Sequence, residues 1–251
     1  SISIWFGAFC YGLYIFYDFA GYSDMAIGLS KMFGYKCPQN FNYPYMTSSV
    51  SEFWRRWHIS LGSWFRDYVY IPLGGSHVNK TSRLCFNLFV VWVLTGLWHG
   101  ANWTFIVWGF DFFLLIFIEK VLGVPDSLPN CILKLFYRCF SIIFIMIQWV
   151  IFQAVNLKNG LSFIARMFIY NNVALSNKHL LFLVNDNLVF LVLSVLFCFP
   201  IVNCIEDRMA KTKALNILWN ISIIVITFFI FLYSISFIVA GRNNPFAYAN
   251  F

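Results

Sequence analysis

The chain has 251 residues, of which 61% are hydrophobic and only 11% are charged, whereas soluble domains carry about 25% charged residues. Its mean hydropathy is +0.73 and its formal net charge is +7. A soluble core cannot bury this much apolar surface, so the composition excludes an ordinary soluble domain and predicts an all-α, polytopic transmembrane protein. In a membrane protein a basic excess indicates basic cytoplasmic loops. The alternative, nucleic-acid binding, is not supported, because the basic residues form no pattern typical of it.

The seven cysteines are an odd number and form no CxxC pair. Most lie in apolar runs, where cysteine behaves as a small hydrophobic residue, so we predict no disulfide framework and no metal site. The chain does not start with Met and no signal peptide precedes its first apolar run. We expect residues 1–251 to be a single membrane domain with about five or six spans, the C-terminal part of a longer protein.

Residues 2–19 form the first apolar run, about the length of one membrane span. The run ends in the segment FAGYSD, which contains Asp18 and Asp24. These carboxylates either cap a helix that starts near Asp24 or are functional groups at the membrane surface. Residues 25–33 are too few to span, so we predict an interfacial or re-entrant helix there.

Residues 51–70 have the pattern of an amphipathic helix rich in Trp and Arg, which we predict to lie in the membrane interface. Ser49 or Ser51 is suited to cap its start. Glu52 and Arg56 are four residues apart and are expected to pair.

On this predicted helix, Trp54, His58 and Leu61 share one face, while Arg55 and Arg66 share another. The arginines either extend to lipid phosphates or bind the phosphates of an anionic donor such as a coenzyme A nucleotide. In the polar turn at 71–83, His77 is expected to be an ordinary exposed histidine.

Residues 84–98 form the next span, and the sequence WHGAN at 98–102 interrupts it before an apolar run resumes at 104–118. His99 lies in this interruption. An imidazole there is costly unless it meets water, another polar group or a substrate. It is either a structural histidine between helices or a functional group. Asp111 in the following run is expected to pair with a buried polar group or to lie near a water-filled cavity.

The second half contains fewer chemically informative residues. We predict a Pro-rich loop at 123–130, a span at 131–155 and a short interfacial helix at 156–172. A further span follows at 188–202, then a basic cytoplasmic loop at 206–214 and a last span at 215–240.

The sequence contains none of the motifs of serine hydrolases, P-loop enzymes or zinc proteases. Two histidines, a basic aromatic helix and a polar break inside the membrane fit an intramembrane acyltransferase in which His is the general base. They fit a proton-coupled transporter or scaffold almost as well.

Three ordered blocks carry a resemblance: FYDFAGYSDMAIGLSKMFGYKCPQNFNYPYM, SEFWRRWHISLGSWFRDYVYIPLGG and GLWHGANWTFIVWG. Together they make 16–118 the region richest in motifs. They resemble the signature blocks of the membrane-bound O-acyltransferase (MBOAT) family, in the bacterial branch that includes alginate and peptidoglycan O-acetyltransferases. The segment NPFAYANF at the end is similar to the usual terminus of that family.

The resemblance implies that His99 matches the invariant catalytic histidine and His58 the second conserved position. It implies a fold of interfacial and re-entrant helices around a central tunnel, in the cytoplasmic (inner) membrane. The acyl donor would be acetyl-CoA, with no tightly bound cofactor. The acetyl group would reach an extracytoplasmic polysaccharide, through an SGNH-type partner protein. Further candidates for donor binding or the tunnel are Arg55, Arg56, Arg66, Asp67, Trp98, Asn102 and Asp24.

The chain departs from the family pattern at a few positions. It has Phe112 and Phe113 where many relatives have His-Gly, and Gln153 where many have Arg. Asp24 favours acetyl transfer over the related D-alanyl transfer to teichoic acid, which remains the alternative within the family.

Overall fold

The computed structural model describes residues 2–169 and 177–241. Within them the regular structure is helical, with no strand, which confirms the predicted all-α class. The helices are α1 (Ile2–Met32), α2 (Val50–Arg56), α3 (Ile59–Phe65), α4 (Thr81–His99), α5 (Trp103–Leu122), α6 (Cys131–Gln153), α7 (Leu157–Phe168), α8 (Asn177–Asp186), α9 (Leu188–Leu196), α10 (Ile201–Met209) and α11 (Lys213–Val239). A 3₁₀ turn, Pro44–Met46, precedes α2, and a π-helical turn, Arg66–Tyr70, follows α3. The NPFAYANF segment lies outside the described residues.

Four of the described helices, α1, α4, α6 and α11, are long and apolar enough to cross a membrane, and the bent pair α9–α10 makes a fifth if it is one span. Helix α5 has a similar length but carries Asp111, Glu119 and Lys120. The chain is therefore a multi-pass membrane protein, as its composition predicts.

The prediction that the first span ends at residue 19 is wrong, because α1 runs without interruption from Ile2 to Met32. The polar residues of FAGYSD leave the backbone helical, since every N–H there still bonds within the helix whatever its side chain does. The helix ends shortly before Gly34, whose φ of 82° suits glycine.

The segment predicted as a span at 188–202 is not one continuous helix. Helices α9 and α10 meet at an angle of 69°, with Pro200 at the junction. Proline lacks the N–H that would continue the first helix. The second helix continues to Met209, so the predicted charged loop shortens to the residues between it and α11.

Within the described residues, Cα packing divides the chain after Leu188 into two compact units. The single membrane domain stays a prediction. In the first unit α4 and α5 form a closely packed antiparallel pair. A Cβ on Gly96 would lie 2.6 Å from the carbonyl oxygen of Phe105, and a Cβ on Gly109 would lie 2.5 Å from that of Trp92. Both glycines are required for this close approach of two backbones.

Aromatic rings fill the space around the short helix α2. On one side, the fully buried Phe53 stacks on Trp57 and contacts Trp149 of α6. On the other side, Trp54 contacts Trp92 of α4 and Trp108 of α5 edge to face. The helix is thus held between the α4–α5 pair and α6 by large rings, which bury much apolar area.

The start of α2 is held by a buried carboxylate from α5. The Glu119 side chain accepts hydrogen bonds from the backbone N–H groups of Val50 and Ser51, both at 2.7 Å, and from the Tyr137 hydroxyl at 2.8 Å. Its residue is only 2% exposed. Ser49 caps the same helix by accepting from the Glu52 N–H, which confirms one of the two predicted caps.

Replacing Glu119 by Gln should destabilise the protein by about 2 kcal/mol or more, since a buried charge-assisted acceptor is lost and the new NH₂ group faces backbone donors. The apparent unfolding temperature of the full-length protein in lipid nanodiscs measures this. Glu206→Gln, at an exposed position of α10, is the matched control and should leave the temperature unchanged. Equal temperatures for the two variants would contradict the role given to Glu119.

Candidate functional site

His58 lies at a break between two short helices. The continuous helix predicted over 51–70 is wrong, because α2 ends at Arg56 and α3 starts at Ile59. His58 between them has φ 46°, a left-handed conformation that is rare for a non-glycine residue. The shared faces predicted for Trp54 with His58 and Leu61, and for Arg55 with Arg66, therefore do not exist as faces of one helix.

Backbone hydrogen bonds from a preceding loop explain the break. The Asn42 N–H donates to the Arg56 carbonyl, and the Ile59 N–H donates to the Asn40 carbonyl, both at 2.9 Å. These bonds use groups on either side of His58 that a continuous helix would pair internally. Such partners lie far away in sequence, so helical periodicity cannot reveal them.

His58 lines a cavity of about 450 Å³ between α2, α3, α4 and α5. The cavity wall is largely apolar, with Trp54, Leu88 and Trp92 among its residues. Three cationic side chains, Arg55, Arg66 and Lys120, also line it, and no carboxylate does among the described lining residues. The cavity therefore combines apolar walls with cationic groups, as expected of a site for an anionic molecule with an apolar part.

The other predicted polar residues differ in their placement. Arg56 pairs with Glu52 at 2.7 Å, which confirms the predicted ion pair and places its charge away from the cavity. Asp67 is exposed and pairs with Arg66 at 2.7 Å. Asp24 is exposed on α1 and is not among the cavity residues.

His99 is the last residue of α4, at the break predicted from WHGAN. Gly100 follows it with φ 148°. The side chain of Asn102 accepts from the Thr104 N–H and donates to the Val155 carbonyl at 3.1 Å, so it caps α5 and ties the break to the end of α6. The break is thus a turn in which the Thr104 N–H, freed at the start of α5, has a side-chain partner.

Aromatic rings surround the His99 imidazole. The ring centroids of Trp98, Trp108 and Phe152 lie 4.9, 5.2 and 5.0 Å from it, all near perpendicular. Among the described residues, none forms a hydrogen bond with its ring nitrogens. Asp111, further along α5, instead accepts a hydrogen bond from Gln148 at 3.0 Å, which confirms the expected polar partner.

Trp98 joins the two histidines. Its indole lies 6.0 Å from the His58 ring and 4.9 Å from the His99 ring. The two imidazoles, 41 positions apart in sequence, thus contact the same indole. His99 is not among the residues that line the 450 Å³ cavity, so His58 is the histidine on the cavity side.

Burial lowers the pKa of His58 to about 4, so the imidazole is neutral at pH 7. A neutral imidazole can accept a proton from a bound molecule, which the charged form cannot do. Exposed His77, in contrast, lies in the turn before α4, as the sequence predicts.

Sequence reasoning missed two groups at the site. Lys120 on α5 lines the cavity, and its ammonium donates to the Tyr70 hydroxyl at 3.0 Å. Asn40 contacts the His58 ring. Lys120 could have been recognised from the sequence as a lysine near the end of an apolar helix. Asn40 stood out only as part of the NFNYPY block.

Fold and site together define a polytopic α-helical membrane protein with two neighbouring imidazoles beside a basic, largely apolar cavity. Residues 1–162 match the model of the MBOAT, membrane-bound O-acyltransferase, family. The chain belongs to this family.

Named relatives agree with this membership. The chain is 46% identical over 173 residues to the probable alginate O-acetylase AlgI of Azotobacter vinelandii, a match of 69% of this chain and 34% of the relative. It is 36% identical over 194 residues to the peptidoglycan O-acetyltransferase of Helicobacter pylori, a match of 75% of this chain and 37% of the relative. It is 39% identical over 105 residues to the teichoic acid D-alanyltransferase of Bacillus subtilis, a match of 39% of this chain and 27% of the relative. The chain thus spans about a third of the length of these relatives.

The lowered pKa of His58 predicts a pH dependence of stability. Its unfolded value is near 6.5 and its folded value is about 4, so the unfolded state binds a proton that the folded state excludes. This contribution to stability is complete above pH 6.5 and is lost as the pH falls towards 4. The apparent unfolding temperature should therefore decrease more steeply with acid in the wild type than in His58→Gln.

His77→Gln, at an exposed position, serves as the control for the loss of an imidazole outside the site. Parallel curves for His58→Gln and the wild type over this range would show that His58 is not a buried neutral group.

Proposed function

We propose that the full-length protein is a membrane O-acyltransferase that transfers acetyl from acetyl-CoA towards a hydroxyl of a cell-surface polysaccharide. Membership of the MBOAT family and the similarity to proteins named as O-acetylases support the reaction class. The observation that carries the proposal is the pair of imidazoles that both contact Trp98, next to a cavity with three cations.

The proposed transfer requires a proton acceptor at the acceptor hydroxyl. We assign this role to His99, whose ring nitrogens have no hydrogen-bond partner among the described residues. As the imidazole takes the hydroxyl proton, the oxygen attacks the thioester carbonyl carbon and the carbon–sulfur bond breaks. The imidazolium then returns the proton to the CoA thiolate, which leaves as the thiol. His58 and Trp98 line the approach to this point.

The donor is proposed to bind in the 450 Å³ cavity, whose size is typical of small-molecule sites. Arg55, Arg66 and Lys120 would bind the phosphates of CoA, and the apolar wall would hold the pantetheine arm. Acetyl-CoA is a cytoplasmic metabolite, so we place the cavity at the cytoplasmic face of the inner membrane. The acceptor side would then face outwards, where an SGNH-type partner would carry acetyl to the polysaccharide.

D-alanyl transfer to teichoic acid is the second candidate, supported by the similarity to D-alanyltransferases. It requires a D-alanyl carrier protein as donor, so purified protein supplied with each donor in turn separates the two reactions. Transfer from neither donor, in folded protein, would support a transporter or scaffold instead.

Replacing His99 by Ala should lower acetyl transfer by roughly 10² to 10⁴-fold, the contribution typical of a general base. Membrane insertion should be unchanged, and the unfolding temperature shows how far the cavity left among the surrounding rings lowers stability. Transfer of radiolabelled acetyl from acetyl-CoA by the full-length protein measures the loss. The His77→Ala variant, at an exposed position, controls for removal of an imidazole. Wild-type transfer by His99→Ala would exclude it as the base.

Replacing Lys120 or Arg66 by Ala should raise the KM for acetyl-CoA roughly tenfold, because each substitution removes one charged hydrogen-bond donor for a phosphate. The KM for acetyl-pantetheine, which lacks the nucleotide phosphates, should stay constant. Lys134→Ala, at an exposed position on α6 outside the cavity, is the control for loss of a positive charge. Equal changes with both donors would show that these cations do not bind the nucleotide.

A further inference from the structure

We infer that Asn40 is a positioning residue that holds His58 in the tautomer protonated at Nδ1, and so presents Nε2 to the cavity as a proton acceptor. The role of this arrangement in acyl transfer rests on the proposed function. The tautomer itself does not, because it follows from the hydrogen bonds around the ring.

The orientation of the Asn40 amide is determined by a backbone group. The Ser60 N–H lies 3.2 Å from Asn40 Oδ1 and can only donate, so the atom facing it must be the amide oxygen. The Ser60 hydroxyl reaches the same oxygen at 2.9 Å. On the other side, Asn40 Nδ2 donates to the Ser23 hydroxyl at 3.0 Å. A flipped amide would set its NH₂ group against the Ser60 N–H and is excluded.

The oriented amide oxygen in turn determines the tautomer of His58. His58 Nδ1 lies 3.2 Å from Asn40 Oδ1. The Ser60 hydroxyl also lies 3.4 Å from Nδ1, but its proton is donated to the amide oxygen at 2.9 Å, which leaves the hydroxyl oxygen as an acceptor. Because neither oxygen then offers a proton to the ring, the proton is assigned to Nδ1. A neutral imidazole has a single N–H, so Nε2 is left as a bare lone pair. No described residue forms a hydrogen bond with Nε2.

The loop that carries Asn40 is fixed to the His58 junction by its main chain as well. The Asn40 carbonyl accepts from the Ile59 N–H, and the Asn42 N–H donates to the Arg56 carbonyl. Phe19 of α1 packs edge-on against the imidazole at 4.7 Å. Backbone and side chain of one residue therefore control both the left-handed turn at His58 and its protonation site.

The charged groups of the cavity are consistent with this assignment. Arg55 on α2, Arg66 after α3 and Lys120 on α5 share the cavity with His58. They are all cations, so none of them can accept the Nδ1 proton in place of Asn40, and all of them oppose a second proton on the ring. A molecule in the cavity that meets Nε2 must accordingly offer an O–H, N–H or S–H group. His99 has no such orienting partner among the described residues.

Nitrogen-15 NMR of histidine-labelled, full-length protein in lipid nanodiscs tests the tautomer directly. Comparison with the His58→Gln spectrum assigns the signals of His58. We expect a protonated Nδ1 and an unprotonated Nε2 at neutral pH. Ser60→Ala, the matched control, should keep this tautomer because the Ser60 backbone N–H still orients the amide. Asn40→Leu, which has no acceptor, should give a mixture of tautomers. A protonated Nε2 in the wild type, or an unchanged spectrum in Asn40→Leu, would overturn the inference.

Asn40→Asp provides a second variant in case Asn40→Leu does not fold. Its carboxylate also accepts from Nδ1–H, so the tautomer should be kept, while the pH at which His58 takes a second proton should rise because the new charge stabilises the imidazolium. An unchanged titration would contradict the contact.

Acetyl transfer measured on the same variants separates this inference from the proposed function. Asn40→Leu should lower kcat while leaving the KM for acetyl-CoA unchanged, and Asn40→Asp should restore much of the lost kcat near neutral pH. A mixed tautomer with wild-type kcat would remove the positioning role. If the wild type transfers no acetyl group although its Nδ1 is protonated, the proposed function fails and the tautomer assignment stands.

Discussion

The position of the candidate site depends on the hydrogen bonds that the buried carboxylate of Glu119 accepts at the start of α2. This carboxylate belongs to α5, accepts from the first two N–H groups of α2 and accepts from a tyrosine of α6. The first N–H groups of any helix lack intrahelical partners, and leaving them unpaired in an apolar interior is costly. Because α2 is short and leads directly to His58, holding its start also holds the arginines and the imidazole at its end.

Both histidines lie where a helix stops. His58 follows the end of α2 in a left-handed conformation, and His99 ends α4 just before Gly100. Breaks in a membrane protein are tolerated where the freed backbone groups find partners or border a cavity. The loop around Asn40 supplies these partners at the first break, and the Asn102 side chain accepts from the Thr104 N–H at the second. Each break thereby brings an imidazole into contact with Trp98.

Several features follow directly from the sequence. The apolar runs of α4, α6 and α11 were predicted to within a few residues, because the length of an apolar run determines whether it can span lipid. The Glu52–Arg56 pair and the break at 98–102 are local patterns and were predicted too. The helix over 51–70 was not, since the bonds that interrupt it come from a loop near Asn40. Pro200 is a local signal for the bend between α9 and α10, but the span at 188–202 was predicted from hydropathy without using it.

The sequence by itself determined that the chain is a membrane protein and that it carries the ordered blocks of the MBOAT family. It also singled out His58 and His99 as histidines in apolar surroundings. Only the tertiary structure decided which cations share a cavity with His58, which carboxylate holds α2, and which amide lies beside His58 Nδ1. The reason is physical. Hydropathy adds up along a local run, so it can be read residue by residue. A hydrogen bond is directional and joins atoms whose residues are 18 positions apart for His58 and Asn40, and 69 apart for Val50 and Glu119. Such partners exist only once the helices have packed.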